Sequence, residues 1–235
     1  MLRTFFSYFI FLSLKCISII FFKVRGIYIT PKETINWDEV RIVALLNHTS
    51  LYEPVLIGAA PARLLWNLAG KMVAPGADKT MNRPIVGKLW RLIFPHLISI
   101  SRQRDDTWSE FMELIKGNTV IVLAPEGRMR RPSGYDLNGN PMTVRGGIAD
   151  ILGQLTEGKM MIAYSGGLHH IQKPGELIPR LFKEVNVAIE VLDIPEYKAS
   201  LEGKKKFKLE VVKDLEQRMD RYVPLNQGNI YIPHD

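Results

Sequence analysis

The stretch VRIVALLNHTSLYE (residues 40–53) joins a seven-residue, mainly aliphatic run to a polar turn carrying Asn47, His48 and Glu53. A run this continuous is too apolar for a strand with one wet face. VRIVALL (40–46) therefore reads as a strand covered on both sides, as in the parallel sheets of α/β proteins. Four more runs have the same character: LISIS (97–101), TVIVLA (119–124), MMIAYS (160–165) and VNVAIEVL (185–192). Helical patterns lie between and after them. DTWSEFMELIKG (106–117) has Thr107 and Glu110 in capping-box spacing, Phe111, Leu114 and Ile115 on one stripe, and Gly117 as its stop. RGGIADILGQLTEG (145–158) and LEVVKDLEQRMDRYV (209–223) are two further helices. The alternation predicts an α/β fold with a mostly parallel or mixed central sheet flanked by helices, and in such folds sites gather at the carboxyl ends of strands.

The chain has 235 residues, 46% of them hydrophobic, enough for one sizeable core. Residues 26–235 show no composition break and read as one domain. Cys16 is the single cysteine, which excludes an intramolecular disulfide and a Cys-rich zinc cluster and suits a reducing compartment. The net charge of +7 points to anionic partners without choosing among nucleic acid, acidic lipid and phosphorylated substrate.

Residues 1–25 narrow that choice. TFFSYFIFLSLKCISIIFF (4–22) is almost wholly apolar, with Arg3 before it and Lys23 and Arg25 after it. Its length approaches the ~20 residues of a spanning helix, but Lys15 would cost roughly 2.5–3.5 kcal/mol at the bilayer centre. A membrane-associating helix lying in the interface, with Lys15 snorkelling outward, fits better. RGIYITPKE downstream offers no small-x-small site for a signal peptidase. RPIVGKLWRLIF (83–94), apolar with Arg83, Lys88 and Arg91 interspersed, is either a second membrane-surface helix or an ordinary helix packed on the sheet. A nucleic-acid binder using KKKFK (204–208) and the arginines leaves the apolar N-terminus unexplained, and no helix-turn-helix, zinc-finger or RNP-like pattern is present.

A histidine at a strand end can take a proton from a substrate hydroxyl, and a carboxylate one turn on can orient it and balance the imidazolium. His48 and Glu53 are spaced for this. Ser50 and Glu53 are equally spaced as a capping box for a helix with Pro54 in its first turn. A metal site is disfavoured, because five-residue spacing separates the two side chains and a third ligand would have to come from His169 or His170. At the end of a second strand, APEGRMRR (124–131) presents Glu126, Gly127, Arg128, Arg130 and Arg131, and a third strand end carries Arg102 and Arg104. Glycine admits close backbone approach, and guanidinium forks suit phosphate. The irregular stretch RMRRPSGYDLNGNPMTVR (128–145) is of a length usually tied to function.

Taken in order, these motifs resemble those of the glycerolipid acyltransferases typified by lysophosphatidate acyltransferase, over roughly residues 40–195. Asn47 and His48 match the family's Asn-His, with Glu53 where Asp is usual. Arg102 matches the arginine of its second motif, with Ser101 in place of the preceding Asp. Glu126 and Gly127 match the Glu-Gly of its third, where Met129 stands at the arginine position and leaves Arg128 or Arg130 to supply that charge. Arg145, Gly146 and Gly147 match a later element without its proline, and Lys71 resembles a lysine that follows the family's second strand.

The resemblance implies transfer of a fatty acyl chain from acyl carrier protein or coenzyme A to a lyso-lipid hydroxyl, with no cofactor and no metal. His48 would be the general base and Glu53 its partner. Asn47, Lys71, Arg102, Glu126, Gly127, Arg128 and Arg130 would bind substrate, and N–H groups opening the helix after His48 would hold the oxyanion. The implied partners are a membrane lipid surface, the acceptor and the acyl donor, not nucleic acid. The implied place is the inner or cytoplasmic membrane, with the catalytic domain on its cytoplasmic side. The changed second and third motifs leave open an acceptor other than lysophosphatidate, such as an aminolipid, and a catalytically silent lipid-binding relative.

Overall fold

The computed structural model describes residues 2–77, 96–100, 106–201, 206–226 and 229–234. Arg102, Arg104 and the 83–94 stretch lie outside the described residues. The strands are β1 (Lys23–Tyr28), β2 (Val40–Leu46), β3 (Met72–Ala77), β4 (His96–Ile100), β5 (Val120–Leu123), β6 (Lys159–Ser165) and β7 (Glu184–Asp193). Among the described residues they form one sheet in the order β1-β7-β6-β2-β5-β3-β4. Every neighbouring pair is parallel except β6 with β7, so the sheet is mixed and mostly parallel, as the apolar runs predict.

The helices are α1 (Leu2–Phe21), α2 (Ala62–Leu68), α3 (Asp106–Leu114), α4 (Gly147–Gln154), α5 (Ile194–Ser200) and α6 (Phe207–Tyr222), with a 3-10 segment at Glu53–Ala59. They cover both faces of the sheet. Central β2 sends Ile42, Ala44 and Leu46 into a core shared with Phe111, Leu152 and Leu215. Val43 goes to the opposite core with Phe11, Leu65 and Met161. A register shift between Val40 and Ile42 places Val40 beside Val43, and Arg41 donates to the carbonyls of Ile115, Gly117 and Thr119. Burying each aliphatic side chain is worth roughly 1.5–3 kcal/mol, so the two-sided core is what holds β2 in place.

Two strands were not legible in the sequence. β1 begins at Lys23 and pairs with β7, so the sheet starts inside the basic flank of the apolar segment. β3 reads MVAPGA, in which Pro75 and Gly76 hide the strand pattern.

α1 is long and apolar enough to cross a membrane, yet it is docked on the domain. Its buried positions are Ser7, Phe11 and Ser18, while Phe5, Phe6, Phe9, Ile17, Ile19 and Ile20 face outward. Lys15 does not snorkel. Its ammonium donates to the carbonyls of Gly58 at 2.9 Å and Ala60 at 2.6 Å, and Ser18 Oγ donates to the carbonyl of Val55 at 2.5 Å. These carbonyls belong to the irregular 3-10 segment and its end, where backbone bonding leaves acceptors open. The polar side of α1 is therefore its protein side. Lys15→Met should cost about 1.5–3 kcal/mol, the range for a charged donor, in denaturant unfolding of the detergent-solubilised protein.

Candidate active site

β2 ends at Leu46, and Asn47 then adopts a left-handed conformation (φ 60°), which asparagine tolerates better than most residues. This bend turns His48 out of the strand line. Asn47 Nδ2 donates to the carbonyl of Ser165 at the end of β6 at 2.8 Å. The His48 N–H donates to Glu126 Oε1 at 3.0 Å, and the His48 carbonyl accepts from the Arg130 N–H at 2.7 Å. The Leu168 N–H donates to Thr49 Oγ1 at 2.8 Å, and Ser50 Oγ is bonded to Gln172 Oε1. Segments following β2, β5 and β6 are thus laced together around one turn.

Glu53 sits beneath that turn, only 3% exposed. Its Oε1 accepts from the N–H groups of Thr49 at 2.6 Å and Ser50 at 3.3 Å, and its Oε2 is bonded to His48 Nδ1. Glu53 makes both contacts: it reaches back to the Ser50 amide as in a capping box, and it touches the imidazole. The box is only half formed, because Ser50 Oγ accepts from the Tyr52 N–H at 3.1 Å instead of capping residue 53. Four amides along this turn are already engaged. The Thr49 and Ser50 N–H groups serve Glu53, Tyr52 serves Ser50, and the Val55 N–H serves the Tyr52 carbonyl.

With Nδ1 bonded to the carboxylate, Nε2 is the other ring nitrogen, and the His48 side chain is 21% exposed. Burial pushes the imidazole down to about 4, so it is neutral at pH 7 and able to accept a proton. Beside it, burial pushes Glu126 up to about 7, against the opposing pull of the His48 and Asn47 amides and the Arg130 charge. Arg130 is 1% exposed, with its guanidinium over the Tyr231 ring at 4.9 Å and Nη1 donating to the Ile232 carbonyl at 3.2 Å. Glu126 Oε2 and Arg130 Nε and Nη2 are buried and have no partner among the described residues. Buried polar atoms left in that state are uncommon, and here an acid and a cation are left so side by side.

The remaining predicted residues divide. Gly127 (φ 64°) makes the left-handed turn that brings Glu126 and Arg130 to the site. Arg128 is bonded to Asp136, whose carboxyl is held down to about 2, with the Asn140 amide the largest cause, so its charge is already matched. Lys71 is a correction. It precedes β3, whose Met72 pairs with Val120 at the start of β5, so it lies at the edge opposite His48 and donates to Asn67 Oδ1 at 3.3 Å. Arg102 lies outside the described residues. His169, considered only as a metal ligand, instead bonds the Arg130 carbonyl through Nε2 at 2.8 Å. Sequence reasoning missed Thr49, whose amide serves Glu53 within the same turn, and also Gln172, Tyr231 and Ile232, which reach the site through long-range contacts with no local spacing to announce them.

An apolar cavity of about 120 Å³ lies behind Glu53, lined by Phe11, Leu45, Pro54, Leu64, Met72 and Met161 among others. It runs between α1, the 3-10 segment and the sheet.

Fold and site together define an α/β protein whose histidine and carboxylate stand at the carboxyl edge of a mostly parallel sheet. No protein-family model matches the chain, and no curated protein matches it significantly. Among solved structures it is similar to the 1-acyl-sn-glycerophosphate (LPA) acyltransferase PlsC from Thermotoga maritima, with a TM-score of 0.50 and 20% identity over 92% of this chain and 82% of that one. At this identity the likeness is one of fold: a mixed sheet with an apolar N-terminal helix.

The raised Glu126 carboxyl carries a signed consequence. The folded protein holds this proton up to about pH 7, whereas the unfolded chain releases it near 4.5. The contribution is therefore greatest below pH 4.5 and is lost as pH rises through 7. The stability of wild type relative to Glu126→Gln should fall by on the order of 3 kcal/mol across that window, read from denaturant unfolding of both proteins at a series of pH values. A constant difference would show that Glu126 is already ionised in the folded protein.

Proposed function

We propose that the protein is a membrane-associated O-acyltransferase that moves a fatty acyl chain from a thioester to the hydroxyl of a lyso-lipid. The observation that carries this reading is the His48–Glu53 pair set beside the buried, incompletely bonded Glu126 and Arg130. It supplies a base and an anion-binding group at one strand edge. His48 Nε2 removes the proton from the acceptor hydroxyl as the oxygen attacks the thioester carbonyl. Collapse of the tetrahedral intermediate breaks the carbon–sulfur bond, and the imidazolium returns its proton to the departing thiolate. Glu53 fixes the Nδ1–H tautomer and balances the transient charge.

Arg130 Nε and Nη2, unpartnered among the described residues, can donate to a phosphate or another anionic head group, and Glu126 in its protonated form can donate through Oε2 to an acceptor oxygen. The apolar cavity behind Glu53 suits part of an acyl chain. The donor is acyl carrier protein or coenzyme A thioester, and the acceptor is lysophosphatidate or a lyso-lipid with another head group, aminolipids included. The outward apolar face of α1 seats the domain on the cytoplasmic membrane, with the site on the cytoplasmic side. Asn47 and Gly127 shape the site through backbone conformation.

His48→Ala should lower acyl transfer from labelled acyl thioesters by about 10²–10⁴-fold, with the protein still folded. Equal rates in wild type and variant would leave a lipid-binding protein without this chemistry. Glu53→Asp should keep part of the activity, whereas Glu53→Gln, which cannot balance the imidazolium, should fall nearly as far as His48→Ala. The comparison is kcat at saturating acceptor. Lipid mass spectrometry of cells with and without the protein would name the acceptor as the lyso species that accumulates.

A further inference from the structure

The second half of the segment joining β6 to β7 has no part in the chemistry above, yet it is held in a defined shape. Residues 173–183 read KPGELIPRLFK. Leu177 is 86%, Ile178 84% and Phe182 64% exposed, and Leu181 is exposed as well. Four large apolar side chains in six residues are costly to leave in water. The polar groups of the loop hold it in shape from within. Arg180 donates to both Glu176 carboxylate oxygens at 2.8 and 3.1 Å, and the Lys173 N–H donates to the same carboxylate at 2.9 Å. Gln172 Nε2 donates to the carbonyls of Lys173 at 2.6 Å and Glu176 at 2.7 Å.

The loop is also fastened to α1. Phe182 takes a left-handed conformation (φ 59°), unfavourable for an aromatic residue by roughly 1–2 kcal/mol. In that conformation its N–H donates to the Phe21 carbonyl at 2.7 Å, and its ring lies 6.1 Å from the Phe21 ring. The loop's apolar surface thereby continues that of Ile17, Ile19 and Ile20 on α1. Lys23, Arg25, Lys173 and Lys183 are all exposed around the junction.

We propose that residues 177–182 are a second membrane-inserting element that enters a bilayer of anionic phospholipid alongside α1. The inference rests on the membrane reading of α1 given above, and it adds a location for the site. The loop leaves the carboxyl end of β6 and returns at the start of β7, on the same edge of the sheet as His48. Tyr52, between His48 and Glu53, donates its hydroxyl to the Leu177 carbonyl at 2.8 Å. A loop anchored in the bilayer therefore holds the mouth of the site at head-group level, where a lyso-lipid presents its hydroxyl. The basic ring matches the charge of that surface.

The test uses full-length protein, purified in detergent and diluted onto vesicles of phosphatidylglycerol and phosphatidylcholine or of phosphatidylcholine alone. An environment-sensitive fluorophore is placed on native Cys16, on Ile178→Cys or on Glu157→Cys, the last two in a Cys16→Ser background. Cys16 is exposed on α1, and Glu157 is exposed just before β6, at the far edge of the sheet. The expected result is a blue shift and quenching by lipid-borne quenchers at positions 16 and 178 but not 157, stronger on the anionic vesicles. The double change Leu177→Asp, Ile178→Asp should then weaken vesicle partitioning about tenfold or more. Burial at 16 without burial at 178 overturns the loop's role and leaves the membrane reading of α1 standing. Burial at neither position overturns both. A shift at 178 that depends on protein concentration and not on lipid overturns it in favour of a second copy of the chain.

Discussion

The Glu53 carboxylate holds the site in register. Its two oxygens bond the amides of Thr49 and Ser50 on one side and the imidazole of His48 on the other. One buried anion thus fixes both the backbone path after β2 and the side chain that path delivers. Aspartate at the same place is one methylene shorter and would draw the turn inward. The extra reach of glutamate matches a carboxylate that begins a 3-10 segment and does not lie within an α-helix.

Around this centre the site is assembled from distant parts of the chain by backbone hydrogen bonds. Glu126 accepts the His48 amide, Arg130 donates to the His48 carbonyl, and Thr49 accepts from Leu168. Such a bond makes Glu126 a positioning group for the His48 turn. It also explains the high burial of Glu126, since a carboxyl clamped to a buried turn cannot reach water. Arg130 is held the same way by its amide, while part of its guanidinium has no partner among the described residues. An acid and a cation left short of partners among the described residues, in one small volume, are suited to a polar guest that completes their bonding.

Much of this was legible in the sequence, and the reasons for the remainder are physical. Continuous aliphatic runs identified β2, β4, β5, β6 and β7, because strands covered on both faces have no alternation to obscure them. β1 failed that test as an edge strand with alternating exposure, and β3 failed it because Pro75 and Gly76 interrupt the pattern. His48, Glu53, Glu126 and Arg130 were found as strand-end residues, and the structure brings them together. Lys71 was misplaced because an unrecognised strand begins directly after it, which reverses the edge on which it lies. Arg128 was expected to be free, but Asp136 sits eight residues along a loop whose fold no periodicity reveals. Tyr231 and Ile232 lie about a hundred residues from Arg130 in sequence and could be joined to it only by three-dimensional packing.

α1 is bound to the domain through Lys15 and Ser18, whose partners are the carbonyls of Val55, Gly58 and Ala60. Those carbonyls belong to the stretch that Glu53 begins. The hydrophobic helix is therefore a structural wall of the apolar cavity behind Glu53. A chain shortened to start after residue 22, the usual route to a water-soluble form, would lose the donors that steady the Glu53 segment and open the cavity wall at Phe11. Solubility gained by that cut would come at the expense of the site itself.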